Sequence, residues 1–311
     1  MISSIKTILS TLKKLFRFGV PAYVLSFGES LGDNLLLTIL AKEIHKKHQK
    51  KTWIKCDYPQ LYQHNPFVAV IPYDTLLSTT LLNLIGAKII PLKYTYYDPV
   101  TDQNKIPEKH IVLKMADMIG LNGAIENKPD FYLTAEESKK GMISKKQIAI
   151  AVSNTSAKTP VKNKEWIDER YQEIVDRFRA EYDFVQIGAH NDYPLNNVTD
   201  LRGKTTLRES AAILKNSVLL IAYAGFTMHL ARAVDCRSVI VYGGRETPAQ
   251  TGYNSFCNIY SAVHCSPCWL NNLCGYGRMC MTQISTDMAI SEILKELENS
   301  SKPVPVDILY N

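Results

Sequence analysis

Val218-Leu-Leu-Ile-Ala-Tyr-Ala-Gly-Phe-Thr-Met-His-Leu-Ala231 is the stretch from which the fold is read. Val218–Ala222 is an apolar run of strand length, Gly225 permits a tight turn, and Met228–Val234 follows at helical spacing. A strand that ends in a glycine turn and feeds a helix is the repeating element of an open parallel sheet. The start of such a helix offers unpaired backbone N–H groups and the positive end of its dipole, which suit a diphosphate. A glycine there lets the backbone approach closely.

The same alternation extends on both sides. Ile148–Ser153, Asp183–Ile187 (closing on Gly188) and Ser238–Tyr242 (closing on Gly243-Gly244) read as strands, and Glu169–Arg179, Leu207–Leu214 and Asp287–Leu297 as helices. Nearer the start come a strand at Tyr23–Phe27, a loop at 28–33, a helix at Asn34–His48 and a strand at Trp53–Cys56. Strands near Val68–Ile71 and Lys88–Pro91 and a helix over His110–Ile119 continue the series. The loop's two glycines do not make the dinucleotide fingerprint, so NAD binding is not expected. The polar stretch from Thr134 to Gly141 predicts the interdomain connection. The expected architecture is α/β, with Rossmann-like domains at 1–140 and 141–311 and an extended tail from Lys302.

Charge is unevenly placed. Residues 1–60 hold ten Lys/Arg and four Asp/Glu, a surplus of six, which equals that of the whole chain, 36 minus 30. A basic end predicts an anionic partner, and without aromatics interleaved a membrane surface is favoured over nucleic acid. Residues 2–17 place Ile5, Ile8, Leu9, Leu12 and Phe16 at helical spacing, with Lys6, Lys13, Lys14 and Arg17 on other faces. This basic amphipathic helix, stopped by Gly19 and Pro21, either packs on its own domain or lies in a membrane interface. No run of about 18 apolar residues and no secretory h-region occurs. The expectation is a cytoplasmic protein, peripheral on the inner face of the cytoplasmic membrane.

Four of the seven cysteines, Cys265, Cys268, Cys274 and Cys280, fall within sixteen residues. Four thiolates so close suit one tetrahedral ion, zinc or iron, in a structural role. Unliganded thiols packed in a loop are the plainer reading.

Asp200-Leu-Arg-Gly-Lys-Thr-Thr-Leu-Arg-Glu209 leads toward the opening stretch, with Thr205 or Thr206 placed to cap a helix. Taken in order, Gly32-Asp33, Tyr62–Val70, Lys164-Glu-Trp166, Asp200–Glu209, Gly225–Ala231 and Tyr242-Gly-Gly with Pro248, closing on the cysteines and Met281, resemble glycosyltransferase family nine, the bacterial heptosyltransferases. The resemblance implies a GT-B fold, two facing Rossmann-like domains with the acceptor mainly on the first and the nucleotide sugar mainly on the second. It implies inverting transfer of a sugar, a heptose, from an ADP-heptose-like donor to a lipopolysaccharide core or, as in some members, to a protein.

By the same resemblance Asp33 is the general base, with Glu29 as substitute. Lys164, Gly188, Thr205, Gly225, Thr227, Met228 and His229 bind the donor, with Lys158 as second choice for Lys164. Cysteines of this kind hold iron in some protein-modifying members. No Asp-x-Asp occurs, so no catalytic divalent metal is expected; helix dipole and basic side chains would stabilise the diphosphate instead. Two departures stand out. Tyr223-Ala224 replace an acidic residue usual before the glycine turn, and His190 lies near the position of an acidic ribose ligand. They leave a second reading open, a catalytically silent sugar-nucleotide-binding homologue. The plain structural uses are a helix-start carboxylate for Asp33, a satisfied core histidine for His229 and a solvated cation for Lys164.

Overall fold

The computed structural model describes residues 2–153 and 160–311. The chain forms two compact units. Unit 1 comprises Met1–Tyr94, Val112–Tyr132 and Ile308–Asn311, and unit 2 comprises Thr95–Ile111 and Leu133–Asp307. The chain therefore passes between units four times, whereas the sequence suggested one connection near residue 140.

Unit 1 is built on four parallel strands, β1 (Tyr23–Ser26), β2 (Thr52–Lys55), β3 (Val68–Ile71) and β4 (Lys88–Pro91), in the order β3-β2-β1-β4. Helix α1 (Ile2–Phe18) lies against the sheet, where Leu15 and Phe18 pack on a core of Val24, Trp53, Ala69 and Ile71. Buried Thr11 anchors it further, its Oγ1 accepting from Ser78 N at 2.8 Å. Ile5, Ile8, Leu9, Leu12 and Phe16 are exposed, Phe16 to 96%. Helix α2 (Leu31–His48) follows β1 and is buried from Asn34 to Ala41, so it is a core element rather than a surface helix. Ser30 caps it, its Oγ accepting from Asp33 N at 3.4 Å. Gly32 and Asp33 thus belong to the first helical turn, three residues earlier than the spacing of apolar positions indicated. The tail forms a strand, Ile308–Tyr310, antiparallel to Ala124–Glu126.

Unit 2 carries six parallel strands, β5 (Gln147–Ala151), β6 (Asp183–Gln186), β7 (Thr199–Asp200), β8 (Leu219–Tyr223), β9 (Ser238–Gly243) and β10 (Cys257–Tyr260). Their order is β7-β6-β5-β8-β9-β10, so the direction of winding reverses between β5 and β8. Helices α3 (Asp168–Phe178), α4 (Leu207–Lys215), α5 (Phe226–Ala233) and α6 (Thr286–Glu298) pack on it. One face buries Ile148, Ile150, Leu219, Ile221, Val239 and Val241 under Tyr171, Ile174 and Phe178 of α3 and Ala289 and Ile293 of α6. Strands buried on both faces read as continuous apolar runs, which is why they were visible in the sequence. Among the described residues no helix is long and apolar enough to cross a membrane.

Candidate functional site

Helix α5 starts at the carboxyl end of β8, beside the reversal between β5 and β8. Ligands of open α/β sheets bind at such a switch point. Its N-cap is Gly225, which offers no side chain, and no side-chain cap is present. The N–H groups of the first turn and the positive dipole end are therefore presented to an anion. Phe226 and Thr227 stay partly exposed. Met228 and His229 turn inward: the Tyr242 hydroxyl donates to Met228 Sδ at 3.2 Å, and His229 Nδ1 lies 2.8 Å from Tyr253 Oη. The glycine at 225 has an internal cause too, because a Cβ there would stand 2.7 Å from the Tyr223 ring.

Lys164 closes a short 3-10 turn, Lys162–Lys164, and its Nζ donates to Glu246 Oε1 at 2.8 Å. Glu246 follows β9, is 2% exposed, and also receives Arg245 Nη1 at 2.5 Å and Thr251 Oγ1 at 3.1 Å. Burial works against its charge, but Lys164 and Arg245 outweigh this and hold its carboxyl below the usual carboxylate range. Two cations against one buried carboxylate leave a net positive charge there. Lys164 lies near enough to His229 to disfavour its protonation. Lys158 falls outside the described residues.

Gly188 and Thr205 belong to the other side of β5. Gly188, at φ +145°, has its carbonyl accepting from Gly203 N at 2.8 Å, and a Cβ on it would lie 2.4 Å from Asp192 Oδ2. Thr206, not Thr205, caps α4, in a capping box with Glu209; Thr205 Oγ1 pairs with Ser210 Oγ at 2.8 Å. Asp192 and Glu165 were not singled out in the sequence, yet both lie close enough to half-buried Tyr223 to add to the larger effect of burial in raising its hydroxyl. They bring acid toward the turn at Tyr223-Ala224. Burial pushes Asp192 up, and burial with repulsion from Glu165 and Glu169 lifts Asp168 to about 6. Two acids flanking His190 and Trp166 are ordinary in a sequence; only folding gathers them.

Burial, with a smaller push from Lys164, lowers His229 to about 3, and burial lowers His110 to about 4. Both are neutral in the fold. The unfolded chain takes up their protons as pH falls below 6.5, so stability drops from there down to the folded values. Each should contribute a slope of about 1.4 kcal/mol per pH unit. Urea unfolding of the wild type and of a His110→Gln, His229→Gln variant at pH 7, 6 and 5 measures it by difference, because Asp168, lifted to about 6, acts with the opposite sign over this range. A difference that does not change with pH would show that neither histidine is buried neutral.

In unit 1, Asp33 sits in the first turn of α2, at the carboxyl end of β1, next to the reversal between β1 and β4. The cap is the work of Ser30 and the turn's interior is held by Asn34, whose Nδ2 donates to the carbonyls of Phe27 at 2.9 Å and Ser30 at 2.8 Å. The Asp33 carboxylate is half-buried and not needed for capping; Glu29 is exposed.

The four clustered cysteines are free, half-buried, and line one small cavity together with Gly244 and Arg245. Burial raises the thiols of Cys268 and Cys280, and the neighbouring cysteines raise them further. The donor set suits a soft four-coordinate ion. Among the described residues, however, no three His, Cys, Asp or Glu groups stand in a ligating arrangement. The four thiols share the lining of one cavity without forming a ligating group as they stand.

Two α/β units built on parallel sheets give the chain the GT-B fold of solved glycosyltransferases. It belongs to glycosyltransferase family 9 (heptosyltransferase), whose sequence model matches residues 104–272. Among solved structures it is similar to iron-containing dodecameric glycosyltransferase TibC from enterotoxigenic E. coli H10407, with TM-score 0.72 and 16% identity over 90% of this chain and 76% of that one. TibC is also solved in complex with ADP-D-beta-D-heptose. E. coli ADP-heptose LPS heptosyltransferase II matches with TM-score 0.63 and 14% identity over 89% of this chain and 99% of that one. A family 9 structure from Veillonella parvula DSM 2008 gives 0.62 and 15% over 90% and 98%. At these identities the likeness is one of fold. No curated protein matches the chain.

Proposed function

We propose that the chain is an inverting glycosyltransferase moving heptose from an ADP-heptose-like donor to a lipopolysaccharide core. The observation that carries this is the uncapped start of α5 at the switch point of unit 2, with the net positive Lys164–Glu246–Arg245 group. The donor diphosphate would take the first-turn N–H groups around Thr227 and the Lys164 charge, so that no divalent metal is needed. The region 141–311 would hold the donor and 1–140 the acceptor, with Asp33 removing the acceptor hydroxyl's proton as the sugar is displaced from ADP. Two solved relatives name ADP-heptose, which supports the donor. A donor panel offered with lipopolysaccharide core and with protein tests the reading. ADP-heptose binding without transfer to either acceptor would favour the silent homologue, and no binding of ADP-heptose would overturn the proposal.

The cysteine cavity favours a protein acceptor as the second reading, since the family resemblance ties cysteine-held iron to protein-modifying members. Cys265, Cys268, Cys274 and Cys280 would hold one structural zinc or iron. Metal analysis of purified protein is expected to give about one ion per chain, falling with Cys268→Ser. Metal-free protein with full stability would remove the site.

The outward face of α1 would rest on an anionic membrane from the cytoplasmic side. Exposed Ile5, Leu9, Leu12 and Phe16 form a stripe bordered by Lys6, Lys13 and Arg17, while Thr11, Leu15 and Phe18 satisfy the protein-facing side. Leu9→Glu with Phe16→Glu should abolish sedimentation with anionic vesicles and leave the fold intact. Equal sedimentation of the variant would refute the contact.

A further inference from the structure

The segment Leu270–Leu273 of unit 2 is held from two sides by buried residues that none of the steps above uses. On one side stands Asp102, 8% exposed, in the turn between the short antiparallel strands Tyr97–Asp98 and Gln103–Asn104. Its Oδ2 accepts from Asn272 N at 2.5 Å and Leu273 N at 2.8 Å, its Oδ1 from the Tyr97 hydroxyl at 3.0 Å, and its carbonyl from Asn271 N at 2.9 Å. On the other side stands Asn163, 5% exposed, the residue before Lys164. Its Nδ2 donates to the carbonyls of Leu270 at 3.1 Å and Leu273 at 3.0 Å, and its N–H to the Asn271 carbonyl at 3.0 Å. Asp102 thus takes the segment's N–H groups and Asn163 its carbonyls. The clamped segment in turn holds Arg245. The Leu270 carbonyl accepts from Arg245 Nε at 3.0 Å, Asn271 Oδ1 accepts from Arg245 Nη2 at 2.6 Å, and the guanidinium lies over the Trp269 ring at 4.9 Å. Arg245 and Lys164 are the two cations on Glu246. A cation fixed in place before its ligand arrives loses less freedom on binding, so a network that fixes it favours the ligand.

We propose, resting on the reading that Lys164 meets the donor diphosphate, that Asp102 and Asn163 are positioning residues for that contact. They lock Leu270–Leu273, and through it Arg245 and Lys164. Asp102 carries the wrong charge to bind a phosphate itself. Through space its carboxylate opposes a nucleotide diphosphate, while through the clamp it favours one, and the two effects have opposite signs.

Calorimetric titration with ADP, beside thermal unfolding of each variant, tests it. Asp102→Ala and Asn163→Ala should each weaken ADP binding at least about tenfold. Asp102→Asn keeps an oxygen for the Asn272 and Leu273 N–H groups and should keep nearly the wild-type affinity. Both Asp102 variants remove the same charge, so an electrostatic role would tighten ADP in both. A purely structural role would lower the thermal midpoint and leave ADP affinity unchanged. Asn271→Ala, at a half-buried position, cuts only the side-chain link to Arg245 and Asn104; it should also weaken ADP, and it decides the matter where an alanine in the clamp does not fold. In a Lys164→Met background Asn163→Ala should cost less affinity than it does in the wild type, because it acts through that cation. Wild-type affinity in folded Asp102→Ala, Asn163→Ala or Asn271→Ala, with Lys164→Met weakened, would overturn the positioning role and leave the donor site standing. Unchanged affinity in Lys164→Met, or no binding of ADP to the wild type, would overturn the donor reading and this inference with it.

Discussion

Replacing Asp33 by Asn is expected to lower turnover by roughly a hundredfold or more, with donor affinity close to that of the wild type. The acceptor hydroxyl is a weak nucleophile until its proton is being removed, so loss of the base appears in the chemical step. Ser30 caps α2 and Asn34 ties the preceding loop, so neither interaction is lost with the carboxylate. The substitution also removes one negative charge near the positive end of the helix, worth about 0.3–1 kcal/mol. A structural role therefore predicts a fall in thermal midpoint with normal turnover, while a base predicts lost turnover whatever the midpoint does. Steady-state kinetics beside thermal unfolding separate the two. Near-normal turnover in Asp33→Asn with collapse in Glu29→Gln would move the role to Glu29.

Changing Glu246 to Gln should act in opposite directions on the fold and on the ligand. Glu246 is a buried carboxylate that holds Lys164 and Arg245, and removing one partner of a buried pair costs about 3–5 kcal/mol. Arg245 keeps the Leu270 carbonyl, Asn271 and the face of Trp269, and Lys164 is partly exposed, so the lower end of that range is expected. For a unit of this size about 3 kcal/mol lowers the thermal midpoint by roughly 6–12 °C. The same change raises the net charge of the group by one, and binding of ADP or an ADP-sugar should tighten. The wild-type contribution of Glu246 is present above its unfolded value of 4.5 and fades as pH falls through its lower folded value, so the stability gap between wild type and variant should close in acid. Weaker nucleotide binding in the variant would mean that Lys164 is positioned by Glu246 rather than neutralised by it.

The sheet of unit 2 was legible because buried parallel strands are apolar on both faces. Ile148–Ser153 and Ser238–Tyr242 match β5 and β9 to within a residue or two. The turn at Gly225 was legible as a turn, but its reason was not. Whether a missing Cβ makes room for a ligand or for the Tyr223 ring depends on where that ring folds back, and no local pattern records it. His229 and Met228 were chosen for their place in a motif; helical geometry then turns both inward, leaving backbone rather than side chain to meet an anion. The charge group was half visible. Lys164 stood out beside a tryptophan, but its partner lies 82 residues away, and a long-range ion pair has no signature in sequence. In unit 1, Ser30 and Asp33 stand three apart, the spacing of a capped helix start, yet the two glycines drew the loop reading instead.

The short strand Ile308–Tyr310 completes unit 1 with residues made after every residue of unit 2. Asp307, immediately before it, is fixed inside unit 2 by Ser255, whose N and Oγ donate to its carboxylate at 2.8 and 2.5 Å. During synthesis, therefore, the first 132 residues can assemble their parallel sheet early, but the Ala124–Glu126 strand waits with an open edge until residues 308–310 have left the ribosome. Maturation of the N-terminal unit is thereby timed by translation of the C-terminal one.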